Sequence, residues 1–294
     1  MQARWCVRVF RTWTRPEATK CLLGAALRYN ARTPVSRAAD LAVAPFRDSM
    51  PERYRAHFDG GSIQEHAKIV GRRGRLLVHL EIWQRLPNGQ LVLCVVADDR
   101  PGLLSFISAS LVAHEIDVVA VKAYTRTHPE TGHAEAVDFL WVKRQGAREL
   151  PFFVQADLTR IANILTTLVS GAATVESVLQ RGLPRPRPPS TPPRVRFEGA
   201  SAQGPALLTV EAADRPGLLL AITMSLFRNG VQILASDATT QDGRVVDRFT
   251  IAEADGTPLG QARRNTVQNE VLSAIETLGR GTSSRRSSRP PKPR

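Results

Sequence analysis

Apolar positions along the chain fall into two blocks with the same order of periodicities. In the first, a near-continuous apolar run from Leu91 to Ala97 (LVLCVVA) reads as a buried strand. Leu103, Phe106, Ile107, Ser110, Leu111 and His114 then recur at helical spacing, which predicts a helix with one apolar face. The second block repeats this residue for residue: a strand from Ala206 to Ala212 (ALLTVEA), then Leu218, Ala221, Ile222, Ser225, Leu226 and Asn229. Each block continues with two alternating runs that predict a hairpin. In the first these are Asp117 to Thr127 and Glu135 to Lys143; in the second, Val231 to Thr240 and Arg244 to Ala252 around Gln-Asp-Gly, a strong turn signal. The offset between copies falls from 115 at the strand–helix junction to 109 at Asp138 and Asp247, so the first hairpin is six residues longer.

A second helix closes each block, with Leu158, Ile161, Ile164, Leu165 and Leu168 on one face after Asp157 as N-cap, and Val267, Val271, Ile275 and Leu278 on the other copy's face. Upstream of each block lies a further strand, Leu76 to Trp83 and Arg194 to Phe197. Each copy thus reads strand, strand, helix, strand, strand, helix, with the upstream strand expected to fill the edge that no strand after the last helix can fill. Between the copies, GLPRPRPPSTPP (182–193) reads as an extended spacer, expected to keep the two sheets separate.

At the strand–helix junction the copies are nearly identical, ADDRPGLL at 97–104 and AADRPGLL at 212–219. Asp99 and Asp214 are placed to cap free backbone N–H groups, and Pro101 and Pro216 suit a first helical turn. Gly102 and Gly217 are poor helix residues, but a missing side chain lets something approach the backbone closely. A helix N-terminus suits a carboxylate and a neighbouring Asp suits an ammonium, which together describe an α-amino acid. On physics alone, helix start and ligand site stand level.

Charge changes the picture little. The chain has 294 residues and a net charge of +13, but residues 1–56, 181–196 and 279–294 together carry +18, leaving the patterned remainder at −5. Basic residues therefore sit in segments with the composition of tails and linkers, which argues against a shaped nucleic-acid groove. Three cysteines without CxxC spacing, Cys6, Cys21 and Cys94, argue against a disulfide framework or a zinc site. No apolar run reaches the roughly 18 residues that span a bilayer, and a cytoplasmic location is expected. The Arg-rich N-terminus resembles a transit peptide in composition, and a poorly ordered extension is the reading preferred.

With Asp-Arg-Pro-Gly-Leu-Leu at its first strand–helix corner, the order of elements resembles the ACT domain, a ferredoxin-like sensor of amino acids. The resemblance implies an α+β fold of two ferredoxin-like (ACT) units, each an antiparallel sheet with two helices on one face. Two copies at this spacing, with LeuTrpVal and PheThrIle in the third strands and FRDSMPERYRAHFDGGSIQEHAKIV at 46–70, resemble more closely the C-terminal sensor region of the family of PII uridylyltransferase/uridylyl-removing enzymes. The expected organisation is an extension at 1–45, a connector at 46–75, a first unit at 76–180, a linker at 181–192, a second unit at 193–279 and a basic tail at 280–294.

That family's chemistry depends on Asp-x-Asp and His-Asp metal-binding motifs. This chain has neither: Asp98 and Asp99 are adjacent, and none of His57, His66, His79, His114, His128 or His133 precedes an Asp. No enzyme activity, catalytic residue, metal or cofactor is expected. The resemblance implies ligand contacts at Asp99, Gly102 and Leu103 and at Asp214, Gly217 and Leu218, with glutamine as ligand. Where the second copy reads RNGVQI with Gly230 as helix C-cap, the first reads AHEIDV, which predicts a first site altered in shape or lost. Expected partners are the amino acid and a second copy of the chain or a nucleotidyltransferase subunit. The alternatives are a split subunit of such an enzyme and a nucleic-acid-binding adaptor.

Overall fold

Every alternating run becomes a strand. The structure, a computed structural model, describes residues 43–129, 131–144, 155–179, 191–199, 204–241 and 243–280, all within one compact unit. The N-terminal extension up to 42, most of the Pro-rich spacer and the tail from 281 lie outside the described residues. The first repeat comprises β1 (Val78–Arg85), β2 (Leu91–Asp98), α4 (Leu103–Val112), β3 (Ile116–Thr127), β4 (Ala134–Arg144) and α5 (Gln155–Val169). A single-turn helix, α6 (Val175–Val178), follows. The second repeat comprises β5 (Arg194–Glu198), β6 (Ala206–Ala213), α7 (Leu218–Arg228), β7 (Val231–Gln241), β8 (Arg244–Glu253) and α8 (Gln261–Arg280).

Within each repeat the upstream strand fills the predicted edge, β1 on β2 and β5 on β6. Helix α5 begins at Gln155, so Asp157 lies inside its first turn, where it pairs with Arg144 at 2.6 Å, and does not act as N-cap.

The expectation of two separate sheets is overturned. Strands β3 and β7 pair antiparallel through Ala120–Ala123 and Ser236–Thr239, giving one eight-stranded sheet in the order β1-β2-β4-β3-β7-β8-β6-β5. A seam of four residues is enough because both strands would otherwise present unpaired edge groups. Lys122 stands opposite Asp237 in this register and pairs with it at 3.0 Å. One apolar core, containing Leu93, Leu140, Leu165, Leu208, Phe249 and Ile275, runs beneath both repeats between the sheet and its four long helices.

Residues expected as a connector are part of the fold. Helices α1 (Val43–Ser49), α2 (Glu52–His57) and α3 (Gly60–Arg73) cover the other face of the first repeat's sheet. Asp59 caps α3 by accepting from Ser62 N at 2.8 Å. Phe46, Tyr54 and Phe58 pack there on Val92, Cys94, Val96 and Phe139. The Tyr54 hydroxyl lies 2.7 Å from Nδ1 of buried His66, and burial lowers that imidazole to about 3. Arg73 joins this layer to β4 through Glu135 at 2.6 Å and to the end of β2 through Asp98 at 2.7 Å.

Candidate functional site

Pairing β3 with β7 has a direct consequence for the two DRPGLL corners. Each corner lies against strands of the opposite repeat, and a cleft opens between them. One is bounded by Asp214, Gly217 and Leu218 from the second repeat and by Val112, Asp117 and Val118 from the first. The other is bounded by Asp99, Gly102 and Leu103 from the first repeat and by Phe227, Gln232 and Leu234 from the second. The six residues singled out in sequence are thereby divided three and three between two related clefts, each lined by both repeats.

At neither corner does Asp cap the helix. The N-caps are Gly102 at φ 83° and Gly217 at φ 80°, a left-handed conformation that favours glycine, and neither cap offers a side chain. Pro101 and Pro216 precede these caps and lie outside the helices. Freed from the helix, Asp99 accepts from the Thr125 hydroxyl at 2.8 Å on β3. Asp214 faces Lys143 of the first repeat at 3.7 Å.

Leu103 and Leu218 are core residues, with side chains 4% and 3% exposed. Their N–H groups close turns onto Arg100 O and Arg215 O, each at 3.2 Å, while Phe106 N and Ala221 N make the first helical bonds to Gly102 O and Gly217 O. By helix geometry the N–H groups without an intrahelical acceptor are then the next two, of Leu104 and Ser105 and of Leu219 and Leu220. These are the donors that each helix end offers an anion.

The motif's arginines have a structural task. Arg100 Nη1 donates to Val169 O at the end of α5 (2.7 Å), and Arg215 Nη2 donates to Ile275 O in the last turns of α8. Each corner is in this way tied to the second helix of its own repeat.

Behind each motif Asp lies a buried one. Asp138 stands on β4 at the Asp99 cleft, and Asp247 on β8 at the Asp214 cleft. Burial, reinforced by Asp99, pushes Asp138 up to about 8, although Tyr124 N–H and Arg53 oppose the shift. Burial, with Asp214 and Asp237 adding to it, pushes Asp247 well above the usual carboxylate range. Burial also raises Asp99, and burial followed by Asp214 raises Asp117 to about 6. Both clefts therefore concentrate carboxylate chemistry in low dielectric. Each also has buried polar atoms without a hydrogen-bond partner among the described residues: Asp247 Oδ1 at one, Gln232 Oε1 and Ser105 Oγ at the other.

Sequence reasoning missed Asp117, Lys143, Phe227 and Gln232. All four reach a cleft from the opposite repeat, so only the β3–β7 pairing could reveal them. The predicted alteration of the first copy after its helix is subtler than loss of the turn. Glu115 takes φ 57° where Gly230 has φ 68°, so the backbone keeps its course despite the missing glycine.

Two ferredoxin-like repeats joined through one sheet, with a two-sided cleft at each DRPGLL corner, define the class of this chain. Several curated relatives share one name. Over 84% of its length the chain is 27% identical to a bifunctional uridylyltransferase/uridylyl-removing enzyme of Phenylobacterium zucineum, of which it covers 26%. Over 75% of its length it is 26% identical to the protein of the same name from Rhodospirillum rubrum, of which it covers 23%. The chain spans about a quarter of the length of these curated relatives, consistent with the resemblance to one region of that family. No protein-family model matches the chain. Among the described residues, no group of three or more His, Cys, Asp or Glu is placed to hold a metal ion, and no helix is long and apolar enough to cross a membrane.

Proposed function

We propose that this chain is an amino-acid sensor, with glutamine as the implied ligand, and that it signals by changing how its two repeats associate. The observation that carries this reading is the construction of each cleft from both repeats. A ligand held at a DRPGLL corner touches a helix N-terminus of one repeat and strand residues of the other, so its binding free energy becomes coupling between repeats. The chemistry of a cleft suits a zwitterion: uncommitted helix N–H groups for the carboxylate, and Asp214 with Asp117 for the ammonium.

Catalysis is not part of this reading, since the chain has neither an Asp-x-Asp nor a His-Asp pair. The test is calorimetric titration of the full chain with each of the twenty amino acids. Heat from glutamine that is lost in Asp214→Asn supports the reading, and no heat from any of them sinks it.

A second reading rests on the match to a quarter of each relative's length. The chain then acts as a sensor subunit for a separate nucleotidyltransferase polypeptide. Affinity capture from its own cells that yields such a polypeptide favours this reading; recovery of the chain alone removes it.

A further inference from the structure

Helix α2 reaches across the joint between the repeats. Arg53 Nη2 donates to Ala123 O on β3 at 2.8 Å and, at a longer 3.4 Å, to Leu234 O on β7. Its guanidinium lies 5.0 Å from the centre of the Tyr124 ring, which holds it over the seam from the first repeat's side. One helical turn further on, His57 lies in the field of Lys122 and Asp237, the ion pair that crosses the seam. Helix α2 therefore sits over the paired strands, on the face of the sheet away from the long helices.

The acceptors stand where the ladder ends. The β3–β7 pairing stops at Ala123 and Ser236, and Leu234 falls at a break in the β7–β8 register between Ile233 and Ala235. A residue at such a bulge stands outside the ladder, so its carbonyl needs another donor. A single guanidinium nitrogen, with two N–H groups, meets a carbonyl of each repeat. Ala123 and Leu234 also line the Asp99 cleft, together with Tyr124.

The other end of the seam is built differently. At the repeat offset of 115, the counterparts of Ala123 and Leu234 are Ala238 and Val119, which line the Asp214 cleft. Val119 falls at the equivalent break in the register of β3, between Val118 and Ala120. Helices α1–α3 pack their apolar side chains on the first repeat only, because Tyr124 and Phe139 beneath them are matched by Thr239 and Arg248 at offsets of 115 and 109. On that side of the second repeat Asp237, Thr239, Arg244 and Arg248 are exposed.

We propose that Arg53 is a positioning residue that straps the two repeats together at the Asp99 end of the seam, leaving the Asp214 end as the one that opens. A change in the angle between the repeats then widens the Asp214 cleft before the Asp99 cleft, and α1–α3 follow the second repeat through Arg53. The strap belongs to the ligand-free chain, and it stands whatever the clefts bind.

The test is amide hydrogen exchange, followed by NMR on the full chain in a Cys6→Ser, Cys21→Ser background. In the parent, the cross-strand amides nearest Ala123 and Ser236 are expected to exchange more slowly than those nearest Ala120 and Thr239. Arg53→Met keeps an unbranched stem over Tyr124 and loses the donors. It is expected to speed exchange about tenfold at the Ala123–Ser236 end and to leave the other end unchanged. Thiol labelling of Cys94 beneath α1–α3 is expected to keep its parent rate, because the layer stays seated. Arg53→Lys, which keeps the charge without the planar guanidinium, is expected to speed the same amides about threefold, and it carries the test if the methionine variant does not fold. Unchanged exchange at the Ala123–Ser236 end would overturn the proposal. Faster Cys94 labelling in step with those amides would also overturn it, since Arg53 would then hold the layer to the sheet and not one repeat to the other.

Discussion

Glu115 and Gly230 occupy equivalent positions after α4 and α7 and hold the same left-handed backbone, at φ 57° and 68°. The turn between helix and strand is thus imposed by packing of the repeat, since Glu has no intrinsic preference for that region. A non-glycine residue there stores roughly 1 kcal/mol of strain.

Substituting Glu115→Gly relieves that strain, at some cost in the entropy of the unfolded chain. The expected gain is about 0.5 kcal/mol in urea unfolding. Gly230→Val, which puts a β-branched residue at positive φ, is expected to lose about 1–2 kcal/mol. A destabilised Glu115→Gly would show that its side chain contributes more than its backbone costs.

The motif arginines are expected to matter for folding whether or not ligand is present. Arg100→Ala leaves the last carbonyl of α5 without its donor, and Arg215→Ala removes a second donor from Ile275 O and empties a buried site, each at a cost of about 1–3 kcal/mol. Arg215, 6% exposed, is expected to give the larger loss. Thermal melts of the ligand-free chain check this; unchanged melting temperatures would free both arginines for a role in recognition.

Much of the fold was legible because two independent copies of each pattern had to agree. Strands β2, β3, β4, β6, β7 and β8 lie within a residue or so of the runs read from alternation, and Val267, Val271, Ile275 and Leu278 are buried as a face. The joining of the sheets was not legible, because β3 meets β7 through backbone groups and Ala120, Val121 and Ala123 carry no mark of their partner. Lys122 and Asp237 were the available signal, two opposite charges midway along the inner strands. Half of each cleft was hidden for the same reason. Asp99 and Gly102 could be singled out from the motif, whereas Phe227 belongs to the other repeat and looks, in sequence, like one more apolar helix residue. The role of Asp99 and Asp214 as helix caps was misjudged because Gly102 and Gly217 take the cap position in a left-handed turn.

Helices α1 to α3 shield Cys94, which is fully buried and whose thiol is pushed well above its ordinary range by desolvation. In a Cys6→Ser, Cys21→Ser background, Cys94 is expected to resist a thiol-specific disulfide reagent at pH 8 until the layer opens. Tyr54→Ala removes ring contacts to Phe46, Phe58 and Tyr124 and is expected to cost about 3 kcal/mol, accelerating labelling roughly a hundredfold. Labelling as fast in the parent as in Tyr54→Ala would mean that the layer does not protect this face.

The buried aspartates set the pH dependence of stability, and its sign follows from which state holds the proton. Burial pushes Asp138 up to about 8 in the folded chain, against an ordinary value of about 4, and Asp117 to about 6, and it raises Asp247 in the same direction. Between those limits the folded state binds protons that the unfolded state has released, so stability falls as pH rises. The contribution is whole below about pH 4, partly lost through pH 6 as Asp117 ionises, and lost for Asp138 above about pH 8. Asp98, which the Arg73 hydrogen bond holds below its ordinary range, acts in the opposite sense only at pH values under about 4. His66, which burial holds at about 3, acts in the opposite sense up to about pH 6.5, because the unfolded imidazole takes a proton that the folded one refuses; His57 and His114, also lowered by burial, add to this, so the aspartate effect stands unopposed only above about pH 7. Urea midpoints are therefore expected to decline from pH 7 to pH 9. Asp138→Asn, which keeps a neutral side chain of the same shape at every pH, is expected to flatten the decline and to exceed the parent's stability at pH 9. Asp247→Asn should do the same at the other cleft. A parent whose midpoint is level from pH 7 to 9 would place a cation or water beside these carboxylates and remove the burial argument for both.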